Sequence, residues 1–165
     1  MKNNIIDLQA AHHLVFRVRQ QLFCLSVQHV KSILKLPRVF TVPQAPPYIM
    51  GVVNVDGNVI PLVNATVKLK LGEYVTPETP TMLVLERHHD GKSQLLGLHV
   101  EDVNDVVECA AHELRQLPTS KFEFDERLVD GMFSIGDDFV MKINIDNFFL
   151  HNLEELNPAL TLTTH

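Results

Sequence analysis

A chain of 165 residues, 45% apolar and 21% charged, has enough apolar material for a core and a composition unlike that of a disordered or fibrous chain. Its 14 Lys and Arg are outnumbered by 20 Asp and Glu, and the net charge of -6 repels both a nucleic-acid backbone and an anionic membrane surface. Met1-Lys2-Asn3-Asn4-Ile5-Ile6-Asp7 has no signal-peptide core, and no apolar run approaches the roughly 20 residues of a spanning helix, so a cytoplasmic chain without membrane insertion is expected.

In chain order, Leu14 to Arg19 and Leu22 to Val27 read as two strands around a polar break at Gln20-Gln21, a hairpin without the usual Gly or Asn. Apolar residues at Val27, Val30, Ile33 and Leu34 then recur at steps of three and four, which predicts a short helix or helical turn ending near Pro37. Pro37, Pro43, Pro46 and Pro47 favour an extended path, because each removes a backbone donor. Tyr48 to Val55 approaches Asp56-Gly57 and Asn58 to Val63 leaves it. Asp-Gly is a strong type I′ hairpin signal, and Pro61 puts the returning strand at a sheet edge or a local boundary. Gly72 to Pro80 reads as a linker, followed by a second hairpin, Thr81 to Glu86 and Gln94 to Val100, around the polar tip His88 to Ser93. From about Asp146, Phe148, Phe149, Leu153 and Leu156 have helical spacing, and Asn157-Pro158 ends that C-terminal helix.

Two blocks repeat in the same order. Leu25 to Leu34 lies over Leu98 to Val107, with every apolar position matched, and Gly51 to Val55 with Val59-Ile60 lies over Gly131 to Ile135 with Phe139-Val140. Val63-Asn64 likewise lies over Ile143-Asn144. The chain therefore reads as one small strand-rich unit made twice, in residues 12–75 and 81–150, with 151–165 as the end of the C-terminal helix and a tail. The fold class is all-β with short helices.

Chemistry is hard to find in these residues. No phosphate-cradling loop, dinucleotide fingerprint or nucleophile elbow occurs. The nine His lack the short spacings of a zinc site; His112-Glu113 begins like a zincin motif, but Gln116 stands where the second His is needed. His88-His89-Asp90 falls on a hairpin tip, and Glu101-Asp102, Glu123, Asp125-Glu126 and Asp137-Asp138 fall in turns or loops, where solvated side chains are the ordinary case. Cys24 and Cys109, each among apolar residues, read as two buried reduced thiols. No catalytic residue, metal or cofactor is expected. The apolar stripes Val27, Val30, Ile33, Leu34 and Val100, Val103, Val106, Val107 either cap their own barrels or in part line a groove for a partner helix.

The run Val42-Pro43-Gln44-Ala45-Pro46-Pro47-Tyr48-Ile49-Met50-Gly51-Val52-Val53-Asn54, the hairpin through Gly57 to Pro61-Leu62-Val63, and the segments Leu14 to Val30, Leu83 to Leu85, Leu98 to Val107 and Gly131 to Asn144 resemble the CheW family of chemotaxis coupling proteins. The resemblance implies two tandem five-stranded SH3-like β-barrels. It also implies an adaptor between the cytoplasmic tips of methyl-accepting chemoreceptors and the regulatory domain of a CheA-type histidine kinase. By the same resemblance the receptor tip would dock between the barrels near Val27, Val30, Ile33, Leu34, Val100 and Val103. The kinase would meet the first barrel at Gly51, Asn54, Asp56, Gly57 and Asn58. Three positions depart from the family pattern: Asp56 replaces an Arg, Ser32 an acidic residue and Asn64 an Asp. These departures raise the alternative of a divergent CheW-like scaffold serving another partner, such as a pilus-type chemosensory array.

Overall fold

The computed structural model describes residues 11–73, 80–118 and 125–149. Most of the 72–80 linker and all of the expected tail, 151–165, lie outside the described residues. The strands are β1 (His12–Val18), β2 (Gln21–Ser26), β3 (Val30–Lys35), β4 (Ile49–Val55), β5 (Asn58–Asn64), β6 (Thr81–His89), β7 (Lys92–Val100), β8 (Asp102–Glu108), β9 (Val129–Ile135) and β10 (Asp138–Ile143). One short helix, α1 (Ala65–Lys68), follows β5, and residues 145–149 are helical after β10.

The strands form two five-stranded sheets, with orders β8-β1-β2-β10-β9 and β3-β6-β7-β5-β4. Each takes its central hairpin from one half of the chain and its other three strands from the other half. The expected units 12–75 and 81–150 are thus not the units of hydrogen bonding. The duplication is present, but the halves exchange hairpins, so the first hairpin completes the sheet whose other strands come last in sequence. Interchanging the halves maps β1-β2 onto β6-β7, β3 onto β8 and β4-β5 onto β9-β10, and turns one strand order into the other.

Of the short helix or helical turn expected over 27–34, the structure has a single 3-10 turn, Val27–His29, and Val30–Lys35 is strand. Its three-residue apolar spacing comes from a bulge. The register on β6 shifts between Val30 and Ser32, and the extra residue carries the apolar face from Val30 to Ile33. On β8 the register against β1 shifts likewise, so Val103 and Val106 fall three apart. The first hairpin turns one residue earlier than expected, at Arg19-Gln20, both with positive φ (50° and 68°), and the Arg19 N–H donates to Glu101 Oε1 at 2.8 Å. Asp56 and Gly57 (φ 51° and 85°) make the expected turn between β4 and β5. Pro61 lies where it needs no donor, one residue before β5 begins its parallel pairing with β7 at Leu62.

Neither sheet closes into a continuous barrel ladder among the described residues; each curls toward closure through one bridge. Past β3, Phe40 and Val52 exchange backbone hydrogen bonds of 2.9 and 2.8 Å, and past β8, Arg115 and Met132 do the same at 2.9 and 2.8 Å. A glycine precedes each bridged residue. A Cβ on Gly51 would stand 2.2 Å from the Phe40 carbonyl oxygen, and one on Gly131 would stand 2.4 Å from that of Arg115. No side chain fits there, which is why the two glycines align in the repeat.

Three apolar clusters result. The largest lies between the sheets: Leu14, Phe16 and Val18 of β1, Phe23 and Leu25 of β2, Leu83 and Leu85 of β6, Leu96, Leu98 and Val100 of β7, with Phe148 and Phe149. The intervening residues point into the two sheet interiors, Val15 and Cys24 into one, Met82 and Val84 into the other. Burial on both faces is why these strands read as unbroken apolar runs.

Candidate functional site

Where each half enters a helix, an asparagine caps it. Asn64 Oδ1 accepts the Val67 N–H at 3.2 Å and Asn144 Oδ1 accepts the Asn147 N–H at 2.9 Å, which accounts for the Val63-Asn64 and Ile143-Asn144 match. The C-terminal helical residues are pinned by Arg87 on β6. Its guanidinium is buried, donates to Gln94 Oε1 at 3.0 Å and to the carbonyl and carboxylate of Asp146 at 3.2 and 3.3 Å, and lies over the Phe149 ring.

The residues expected to line a receptor groove divide into two sets. Val27, Val30 and Val103 are half-buried and pack on the inter-sheet core, whereas Ile33 and Leu34 on β3 are exposed. Val100 is 1% exposed and belongs to that core, so it holds the sheets together and offers nothing to a partner. Of the residues expected at the kinase, Asn54, Asp56, Gly57 and Asn58 form the exposed tip of the β4–β5 hairpin, where the Gly57 N–H donates to Asn54 Oδ1 at 2.9 Å. Gly51 is buried beneath the Phe40 carbonyl and serves the fold.

Several exposed apolar residues were not singled out as partner contacts from sequence. Phe40 stands out beyond β3, Val59 follows the hairpin tip, and Phe139 occupies the position of Val59 in the second copy. Phe139 borders a cleft of about 550 Å³ lined by Leu71, Leu117, Pro118, Met132 and Met141. The repeat held a signal for this pair, because Val59 and Phe139 fall on the same outward step of equivalent strands. A second cleft, about 340 Å³ and polar, is lined by Ser26, His29, Asp130, Lys142, Asn144 and Asp146. Burial lowers the His29 pKa, opposed by its ring contact with the Glu86 carbonyl.

Among the described residues no group of three or more His, Cys, Asp or Glu is arranged to hold a metal ion. His88 and His89 are exposed on the β6–β7 hairpin, as expected. Cys24 and Cys109 are free and buried in one interior, and desolvation raises both thiols, Cys24 to about 12, which keeps them protonated and unreactive at neutral pH. No described helix is long and apolar enough to cross a membrane.

A family model described as the CheW-like domain matches residues 12–151, covering strands of both sheets. The chain belongs to the CheW family. It is thereby a chemotaxis adaptor from a family of non-catalytic scaffolds. It is 25% identical over 136 residues to the chemotaxis protein CheW of Rhizobium meliloti, covering 82% of this chain and 85% of that protein. It is 34% identical over 106 residues to the CheW of Bacillus subtilis, 64% of this chain and 65% of that protein. The fold matches the scaffolding protein TtCheW of Thermoanaerobacter tengcongensis with a TM-score of 0.74 at 20% identity, over 88% of this chain and 91% of that one.

The three departures from the CheW pattern have different structural weights. Asn64 is buried and caps α1, a task Asp and Asn share, so this exchange serves the fold. Asp56 is exposed at the hairpin tip, in a left-handed conformation that Asp tolerates better than most residues. Ser32 is half-buried on β3 opposite Val84.

Proposed function

We propose that this chain couples the cytoplasmic tips of chemoreceptors to the regulatory domain of a CheA-type histidine kinase, and that it does so in the cytoplasm. The observation that supports this reading most is the CheW-like match spanning residues 12–151. The receptor helix docks along the apolar residues of β3 and the flanking turn, Val27, Val30, Ile33 and Leu34, with Val103 on the equivalent strand. The kinase domain meets the β4–β5 tip, where Asn54, Asp56 and Asn58 present polar groups and Val59 an apolar one. Exposed apolar residues beside a fixed polar tip suit a contact whose strength comes from the apolar part and whose partner choice comes from charge.

Asp56 favours a second reading, a CheW-like scaffold for a different signalling partner, because a reversed charge at a contact rim changes which partner is accepted more than it changes packing. One titration separates the two. The full chain is mixed with a CheA-type regulatory domain and, separately, with a receptor-tip fragment. Both are expected to bind at tens of micromolar, with Ile33→Asp abolishing the receptor signal and sparing the kinase signal. Binding to neither partner overturns the coupling role, and kinase binding that appears only with Asp56→Arg supports the second reading.

A further inference from the structure

The polar cleft of about 340 Å³ lies where the end of β10 meets the Val27–His29 turn, and its walls include Ser26, His29, Asp130, Lys142, Asn144 and Asp146. The duplication shows that the fold does not require these charges. Interchanging the halves puts Leu62 in the place of Lys142, Met50 in that of Asp130 and Thr66 in that of Asp146. Leu62 is fully buried among the aliphatic residues of its sheet interior, so an uncharged side chain meets what the backbone plan asks of that position. The ammonium of Lys142 is left without a structural task.

The charged groups of the cleft are in different states. Lys142 is half-buried and has no ion pair among the described residues, and an ammonium partly withdrawn from water gains from an anion that reaches it. Asp146 is committed to Arg87 at 3.3 Å. Asp130 accepts the Asn144 side-chain N–H through Oδ1 at 2.8 Å and has no cation paired with it among the described residues. His29 Nδ1 lies 3.3 Å from the Glu86 carbonyl; a carbonyl only accepts, so Nδ1 carries the proton and Nε2 is an acceptor on a ring that burial keeps neutral. Among the described lining residues, then, Lys142 is an unpaired cation and Asp130 an unpaired anion, beside the apolar surface of Leu25, Ile143 and Ile145.

We propose that this cleft binds a free neutral α-amino acid, with the ligand's carboxylate on Lys142, its ammonium on Asp130 and its side chain against Ile143 and Ile145. The volume stands at the lower end of the roughly 300–1,000 Å³ of small-molecule sites, which suits a ligand of this size. A zwitterion is selected over a simple anion because both of its charges meet an unpaired charge of the wall. A second carboxylate on the ligand would meet Asp146, which is 72% exposed at the rim. Asp130 is exposed to water, so the affinity is modest. Binding is measured on this chain alone, and it stands or falls apart from the receptor and kinase contacts proposed above.

The test is isothermal titration of the full chain with L-alanine, L-serine, L-valine and L-leucine. At least one is expected to bind saturably at a single site, with a dissociation constant on the order of 1 mM or below. The N-acetyl derivative of that amino acid, which lacks the ammonium, and its amide, which lacks the carboxylate, are each expected to bind about tenfold more weakly. Lys142→Leu, which installs the residue of the other half, and Asp130→Asn, which keeps an acceptor for Asn144, are each expected to weaken binding by a similar factor while urea unfolding stays cooperative. Should Lys142→Leu fail to fold, Lys142→Gln serves in its place. The proposal is overturned if none of the four amino acids binds saturably, if the N-acetyl derivative or the amide binds as tightly as the amino acid, or if the folded variants bind it as the wild type does.

Discussion

The two sheets share one strand plan and fill it differently. In the interior of the β6-centred sheet, Met82, Val84, Val53, Ile60 and Leu62 pack together, and Gly97 leaves room for Met82 and Leu62, whose atoms stand 2.8 and 3.3 Å from where its Cβ would be. In the β1-centred sheet the same register places His13 where Met82 stands, Cys24 where Gly97 stands and Lys142 where Leu62 stands. One interior is closed with aliphatic side chains; the other holds a buried imidazole, a thiol and a half-buried ammonium among Val15, Phe133 and Val140. Copying a backbone thus fixes where side chains point while leaving open what fills the space. Backbone-to-backbone contacts stayed the same in both copies, and side-chain chemistry did not.

Replacing Gly51 or Gly131 by Ala tests the conserved part most severely. In each case the intruding methyl meets the backbone carbonyl of a residue tied by two hydrogen bonds to a single residue on the facing strand, so nothing flexible can yield. Each substitution is expected to cost about 3 kcal/mol or more, and by similar amounts, measured as the shift in urea unfolding. A tolerated Gly131→Ala beside a disruptive Gly51→Ala would show that only one bridge matters.

Helix docking is where the halves differ next. The position of Arg87 in the second hairpin is Val18 in the first, an apolar contact exchanged for a buried guanidinium. Arg87→Ala loses its hydrogen bonds and the packing of its stem, and is expected to cost about 2 kcal/mol in the same measurement. Asp146→Asn is expected to cost about 0.5 kcal/mol at most, because the Asp146 carboxylate is 72% exposed and leaves behind a guanidinium still bonded to Gln94 and a carbonyl.

Strand content, the Asp56-Gly57 turn and the duplication were legible because each rests on local pattern: apolar β-rich runs, Asp-Gly, and two blocks repeated in the same order, whereas the short helix at 65–68 and its Asn64 cap were not read from sequence. The exchange of hairpins was not, since a repeat read along the chain says which segments are alike and not which pair across space. The 27–34 segment misled for a definite reason: a bulge within a strand reproduces the three-residue apolar spacing of a helix. Val100 shows a related limit, because an apolar stripe looks alike whether it faces a partner or, as here, the other sheet.

The smallest expected effect concerns the filled interiors themselves. His13 is almost fully buried; its Nδ1 lies 3.1 Å from the Ala11 carbonyl, its ring meets Phe133 edge-on, and its Nε2 has no hydrogen-bond partner. Burial lowers its pKa from the ordinary 6.5, and the nearby Lys142 and His12 push the same way against the Ala11 hydrogen bond. A histidine whose folded pKa is depressed leaves the unfolded chain holding more protons below 6.5, so its contribution to stability is complete above that pH and is lost as the pH falls toward the folded value. His29 and His99 shift in the same direction, also by desolvation, so the wild type should weaken steadily on acidification below 6.5. His13→Met, which installs the residue of the other interior, should flatten that decline between neutral pH and pH about 5, read from urea midpoints across the range. An unchanged pH slope in His13→Met would mean that the imidazole takes up its proton in place, and that the two interiors differ in shape alone.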